Sequence, residues 1–164
     1  MSSFALLCYY GYVTRLVGRE AARQAFASWR ETMATGEKRK RILVIGRNTP
    51  LMEGVSDLLQ VVGYPVDLSS SWTETEYAMY DSPPDLVIID LSIAAPDGYR
   101  LAEQIRSIPH WSEVPILFIS FSGDDRIREL QRDNQRNGDK RVHFYAHTLL
   151  SMDGLLEEVR TCLA

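Results

Sequence analysis

Several short apolar runs in this chain end on side chains able to do chemistry. Leu86-Val-Ile-Ile89 leads into the carboxylate of Asp90, and Val114-Pro-Ile-Leu-Phe-Ile119 into the hydroxyl of Ser120. Ile42-Leu-Val-Ile45 is followed by Gly46, Arg47 and Asn48, and Val142-His-Phe-Tyr145 by His147 and Thr148 just beyond. If the runs are parallel strands of one open sheet, these residues converge, because ligands and chemistry collect at the carboxyl ends of such strands. Some chemistries are poor readings from the outset. No Ser-His-Asp signature accompanies Ser120, and Gly46-Arg-Asn-Thr-Pro50 matches neither a P-loop nor a dinucleotide fingerprint. His110, His143 and His147 lack metal-helix spacing. Cys8 and Cys162 cannot by themselves form a zinc site or a disulfide framework, so the expectation is two reduced, partly buried thiols and no metal site.

The elements that must position these residues follow from periodicity. Thr49-Pro50 reads as an N-cap followed by proline at the first helical position. Leu51, Val55, Leu58, Leu59 and Val62 continue at helical spacing to Gly63. Pro65 to Leu68 is a weak strand, and Ser71 to Tyr80 a helix before Pro83-Pro84. Tyr99 to Ile108 is a helix opened by Asp97-Gly98. Asp124 to about Arg136 is a very polar helix, and Ser151 to Leu163 a last one with Leu155, Leu156, Val159 and Leu163 as its apolar stripe. That makes five β–α units. The central strands are continuous apolar runs, which means burial on both faces and hence a parallel sheet covered by helices. Right-handed crossovers make it doubly wound.

The chain has 164 residues, 45% hydrophobic and 24% charged, with a formal net charge of -4. This is ordinary globular composition, and it excludes wholesale disorder and a polytopic membrane protein. The mild acidity provides no general drive onto nucleic acid or anionic lipid. The run Phe4 to Val13 is apolar but only ten residues long, against roughly 20 for a spanning helix. With no export signal, the cytoplasm is the expected compartment. Residues 1–36 form a separate helical arm. Ala22, Phe26, Trp29 and Met33 recur on one helical stripe that ends near Gly36, and they form a candidate interface. That stripe either packs on its own domain or makes a homodimer or partner interface. Residues 37–41 are a short basic linker, read as a solvated connector, and residues 42–164 are the main domain.

The blocks Pro84-Asp-Leu-Val-Ile-Ile-Asp90, Pro96-Asp-Gly-Tyr-Arg-Leu-Ala-Glu-Gln-Ile-Arg106 and Val114-Pro-Ile-Leu-Phe-Ile-Ser120 resemble, in order and spacing, a response-regulator receiver domain of the CheY-like kind. The resemblance implies a flavodoxin-like, doubly wound α/β fold with a five-stranded parallel sheet, here carrying an N-terminal helical extension. It puts Asp90 at the phosphoacceptor position and Ser120 at the hydroxyl that helps hold the phosphoryl group. Tyr145 falls at the aromatic switch position. The acidic pair that holds the divalent cation in receivers is replaced by Gly46 and Arg47, with Asn48 next. The lysine after strand five is replaced by Thr148, and the proline after it by Leu149.

The departures imply a degenerate pseudo-receiver, non-enzymatic, in which Mg²⁺ binding is lost and Asp90 is a poor phosphoacceptor. Arg47 either pairs with Asp90 as a fixed stand-in for the metal or points into solvent while Asp90 caps the next turn. The charge run from Asp124 to Arg141 is read as a solvated face, with a docking surface second. Nothing but Ala164 follows Leu163, so no DNA-binding output domain and no direct nucleic-acid binding are expected. The expected role is in two-component signal transduction through protein partners, a histidine kinase or a downstream regulator among them. Two other readings stand beside it: a working single-domain regulator phosphorylated on Asp90, and a flavodoxin-like protein binding a small ligand in the crevice.

Overall fold

The computed structural model describes residues 23, 27, 39–46, 49–70, 82–91, 97–120, 125–137, 139–146 and 152–164. Five strands form one parallel sheet: β1 (Ile42–Ile45), β2 (Val66–Ser69), β3 (Leu86–Asp90), β4 (Ile116–Ser120) and β5 (Val142–Ala146), in the order β2-β1-β3-β4-β5. Among the described residues the helices are α1 (Pro50–Val61), α2 (Asp97–Ser107), α3 (Asp125–Asn137) and α4 (Met152–Leu163). The three central strands are buried along their whole length, as continuous apolar runs in a two-sided parallel sheet require. The expected helix over 71–80 lies outside the described residues, as does the apolar stripe Ala22, Phe26, Trp29 and Met33. Within the arm, Arg23 and Ala27 are helical and exposed.

Two apolar clusters sandwich the sheet. On one face, Ile42, Val44, Leu86, Ile88, Leu117 and Ile119 pack against Val55 and Leu59 of α1 and Leu155 and Val159 of α4. On the other, Leu43, Ile45, Val87, Ile89, Ile116 and Phe118 pack against Leu101 and Ile105 of α2 and against Trp111. Successive strand residues alternate between these clusters, the two-residue period of extended chain. Trp111 belongs to a short 3₁₀ turn, Pro109–Trp111, that the sequence pattern did not reveal; its side chain is fully buried. β4 starts at Ile116 rather than Val114, since Pro115 has no N–H to give to a ladder.

Helix α1 is set at both ends by its sequence. Thr49 is extended, and its Oγ1 accepts a hydrogen bond from the Met52 N–H at 3.3 Å, with Pro50 in the first turn. At the other end Gly63 has φ 103°, which an L side chain rarely adopts. Gly63 N–H donates to Gln60 O and Tyr64 N–H to Leu59 O, each at 3.0 Å, which closes a Schellman cap. The buried stripe starts at Met52, not Leu51 as the spacing suggested; Leu51 is half-buried. Either residue satisfies helical spacing to Val55, so periodicity could not choose between them.

Within two sets of charges read as solvated, some members also pair with the fold. In the basic linker, Lys40 Nζ lies 3.6 Å from Asp85, and Arg41 Nε lies 3.8 Å from Asp67. The Arg41 N–H also donates to Asp85 Oδ2 at 2.8 Å, fixing the approach to β1. In the run ending at Arg141, the Asp139 carboxylate accepts from the Arg141 N–H at 3.0 Å and from its Nε at 3.1 Å. Arg106 Nε lies 3.4 Å from the same carboxylate. The Arg106 Nη1 donates to the carbonyls of Ser112 and Val114, holding the loop before β4. Burial by itself would raise the Asp139 carboxyl, but the Arg141 hydrogen bonds and the Arg106 and Arg141 charges bring it below the usual range. Arg128, Glu129, Arg132, Asp133 and Arg136 on α3 are exposed, as expected.

Candidate functional site

The carboxyl ends of the middle strands bring Gly46, Asp90 and Ser120 together. β1 pairs with β3 up to Ile45 opposite Ile89, so Gly46 comes out beside Asp90. β3 pairs with β4 with Asp90 opposite Ile119, so Ser120 follows directly on the other side. Asp90 and Ser120 are each 3% exposed, and Asp90 is the one charged residue in the buried class among the described residues. Burying a carboxylate is costly unless polar or charged neighbours compensate it. A position like this is therefore a functional candidate on physical grounds.

The contact on the β1 side is tight. The Gly46 N–H donates to Ser69 O at 3.0 Å, which extends the ladder with β2 one residue past the strand. A Cβ at Gly46 would lie 2.9 Å from Met52 Cε, 3.0 Å from Met52 Cγ and 3.4 Å from Asp90 Cβ. The Thr49 cap sets the first turn of α1, and that turn places the fully buried Met52 under Gly46. Gly46 contributes no side-chain donor, and the thioether of Met52 fills the space where a side chain would begin. Nothing in the chemistry of Met52 marks it as a site residue in the sequence. Its three- and seven-residue spacings to Val55 and Leu59 were the only signal that it faces inward.

Of the remaining expected site residues, Tyr145 lies on β5 opposite Ile119 and is half-buried against the cluster shared by α1 and α4. Ala146, its neighbour, pairs with Ser120. Arg47, Asn48, His147 and Thr148 lie outside the described residues. The structure also unites three donors that are far apart in sequence: His143 on β5 with Glu158 and Cys162 on α4. The His143 Nδ1 lies 3.3 Å from Glu158 Oε1. Burial, helped by the Glu158 charge, pushes the Cys162 thiol up to about 12. Among the described residues no helix is long and apolar enough to cross a membrane.

A parallel sheet in the order 2-1-3-4-5, with a buried aspartate ending the central strand and a hydroxyl ending the next, defines a receiver-type α/β protein. Residues 42–136 match the response regulator receiver domain family, and the chain belongs to that family. It is 31% identical over 94 residues to the transcriptional regulatory protein YvcP of Bacillus subtilis, covering 57% of this chain and 38% of that protein. It is 28% identical over 96 residues to the transcriptional regulatory protein BaeR of Escherichia coli, covering 58% of this chain and 37% of that protein. The chain thus spans well under half the length of these curated relatives. In fold it is similar to the chemotaxis response regulator CheY4 of Vibrio cholerae, with a TM-score of 0.62 at 17% identity over 77% of this chain and 100% of that one. A receiver protein from Pseudomonas putida gives a TM-score of 0.61 at 21% identity, over 76% and 98% of the two chains. Receiver domains serve two-component signalling and generally hold Mg²⁺ at the phosphorylation site.

Proposed function

We propose that this chain is a pseudo-receiver, a receiver fold that signals through protein–protein contact in the cytoplasm without Mg²⁺-dependent phosphorylation of Asp90. The observation that carries this reading is the Gly46–Met52–Asp90 contact. The family's first cation-binding carboxylate is absent at Gly46, and the side-chain end of Met52 lies where its Cβ would begin. In sequence the next residue is Arg47, which stays protonated in a protein and replaces the family's second carboxylate with a cation. Among the described residues Asp90 is the one buried carboxylate, a sparse oxygen set for Mg²⁺, which demands near-octahedral oxygen coordination. Thr148 in place of lysine removes a further neutralising charge. The reading is tested by treating the chain with Mg²⁺ and a small-molecule phosphodonor, with no acyl phosphate at Asp90 as the expected result.

A second reading, a regulator still phosphorylated on Asp90, has one observation in its favour. The buried Asp90 and Ser120 keep the family's arrangement at the ends of β3 and β4. Labelling in the same experiment would establish it.

The partners under the first reading are proteins, of the histidine-kinase or downstream-regulator class, and nucleic acid is not contacted directly. The stripe Ala22, Phe26, Trp29 and Met33 supplies a self-association surface, because a helically spaced stripe carrying Phe, Trp and Met demands a cover. Removing residues 1–37 should convert a dimer into a monomer by light scattering. Two monomers would remove the arm from the interface.

A further inference from the structure

We propose that His143, Glu158 and Cys162 form a binding site for a borderline divalent transition ion of the zinc class, clamping the edge strand β5 to α4. The three residues come from two elements brought together by packing. On β5, Val142 and Phe144 face the cluster under α2, so His143 and Tyr145 point to the opposite face, where α4 lies. On α4, Glu158 and Cys162 are one turn apart, so their side chains share a face. One potential ligand atom from each residue lies within 4.8 Å of the other two.

The spacing suits tetrahedral coordination. With Zn–N and Zn–O bonds of about 2.0–2.1 Å, a tetrahedral angle separates the two ligand atoms by about 3.3 Å. The His143 Nδ1 and Glu158 Oε1 are 3.3 Å apart as they stand. A Zn–S bond of about 2.3 Å asks for about 3.6 Å between sulfur and either partner. The three atoms lie within 4.8 Å of one another, so binding asks the Cys162 sulfur to draw in by about an ångström at most. The His143 and Glu158 side chains are 22% and 32% exposed, which leaves an entry path. Three protein ligands leave a fourth position for water.

The donor set selects the metal. Imidazole and thiolate suit zinc-class ions, whereas Mg²⁺ takes oxygen ligands, so this site is chemically separate from the one at Asp90. Binding forms one bond each from nitrogen, oxygen and sulfur to the ion and releases the Cys162 thiol proton to solvent. Because β5 is an edge strand, the ion joins it to the helix that packs behind it.

The test uses the full chain carrying Cys8→Ser, with Co²⁺ as the probe and Zn²⁺ as competitor. Expected are one Co²⁺ per chain, a thiolate-to-cobalt charge-transfer absorption in the near ultraviolet, and its disappearance on adding Zn²⁺. Adding Cys162→Ser should abolish the band. His143→Gln and Glu158→Gln should each weaken binding by about tenfold or more. Glu158→Gln keeps the side-chain volume at a part-exposed position, so it reads metal loss without a packing defect. Zn²⁺ should also raise the melting temperature of the parent chain and not of Cys162→Ser. Absence of the band in the parent, or its persistence in Cys162→Ser, or unchanged affinity in both His143→Gln and Glu158→Gln, would overturn the site.

Discussion

Incubated with Mg²⁺ and a small-molecule phosphodonor, the chain should show no phosphate on Asp90 by intact-mass spectrometry, with Asp90→Ala as the blank. The expectation comes from charge. Phosphoryl transfer to a buried carboxylate gathers the carboxylate and the phosphoryl oxygens at the carboxyl ends of β3 and β4. In the family a divalent cation neutralises them. Here Gly46 supplies no ligand, and the side-chain end of Met52 sits where a Cβ would begin. One unit-charge interaction lost at 4 Å with an effective dielectric near 20 amounts to about 4 kcal/mol. That is about three decades in rate. A donor reaction that is slow even at an intact site then falls below detection. Stoichiometric labelling of Asp90, absent in Asp90→Ala, would establish the phosphorylated-regulator reading in its place.

The second large effect is a gain. Gly46→Asp with Arg47→Asp restores the acidic pair in composition, but the new Cβ at position 46 would lie 2.9 Å from Met52 Cε and 3.0 Å from Met52 Cγ. Such separations are too short, so the fully buried Met52 side chain must repack to make room. The double variant should therefore be destabilised and bind Mg²⁺ poorly. Adding Met52→Ala opens the space. That truncation by itself costs about 2–5 kcal/mol in a packed core, partly offset here because the restored side chain refills the gap. The triple variant should bind Mg²⁺ at least about tenfold more tightly than the double, a difference of ~1.4 kcal/mol. Calorimetric titration measures it. Equal affinity in the two would show that Met52 is no obstacle, and the steric part of the account would fall.

Most of the fold was legible in the sequence because each of its signals is local. Ile42–Ile45, Leu86–Ile89 and Val114–Ile119 announce themselves as strands buried on both faces, the last of them beginning two residues later in the fold. Thr49-Pro50 and Gly63 bracket α1 through capping chemistry that needs no tertiary information. Asp90 and Ser120 could be placed at one crevice because strand ends in a parallel sheet face the same way. What stayed hidden depends on contacts across the chain. Met52 and Leu51 fit the same helical spacing, and only the packing under Gly46 decides between them. Trp111 sits in a turn too short to have a period. Asp139 and Arg141 look like part of a solvated charge run until Arg106, more than thirty positions earlier, is found beside them. His143 is fifteen residues from Glu158, a separation that no metal-binding spacing rule covers.

The central claim is that this receiver fold has lost its cation site, and Mn²⁺ tests it most directly, because a bound paramagnetic ion erases the amide signals around it. Titrated with Mn²⁺, the isotope-labelled Cys162→Ser chain, which lacks the thiolate of the β5–α4 site, should keep the signals of Gly46, Asp90 and Ser120 at the intensities of bulk surface amides. Selective broadening centred on Asp90, reversed by excess Mg²⁺, would contradict the account.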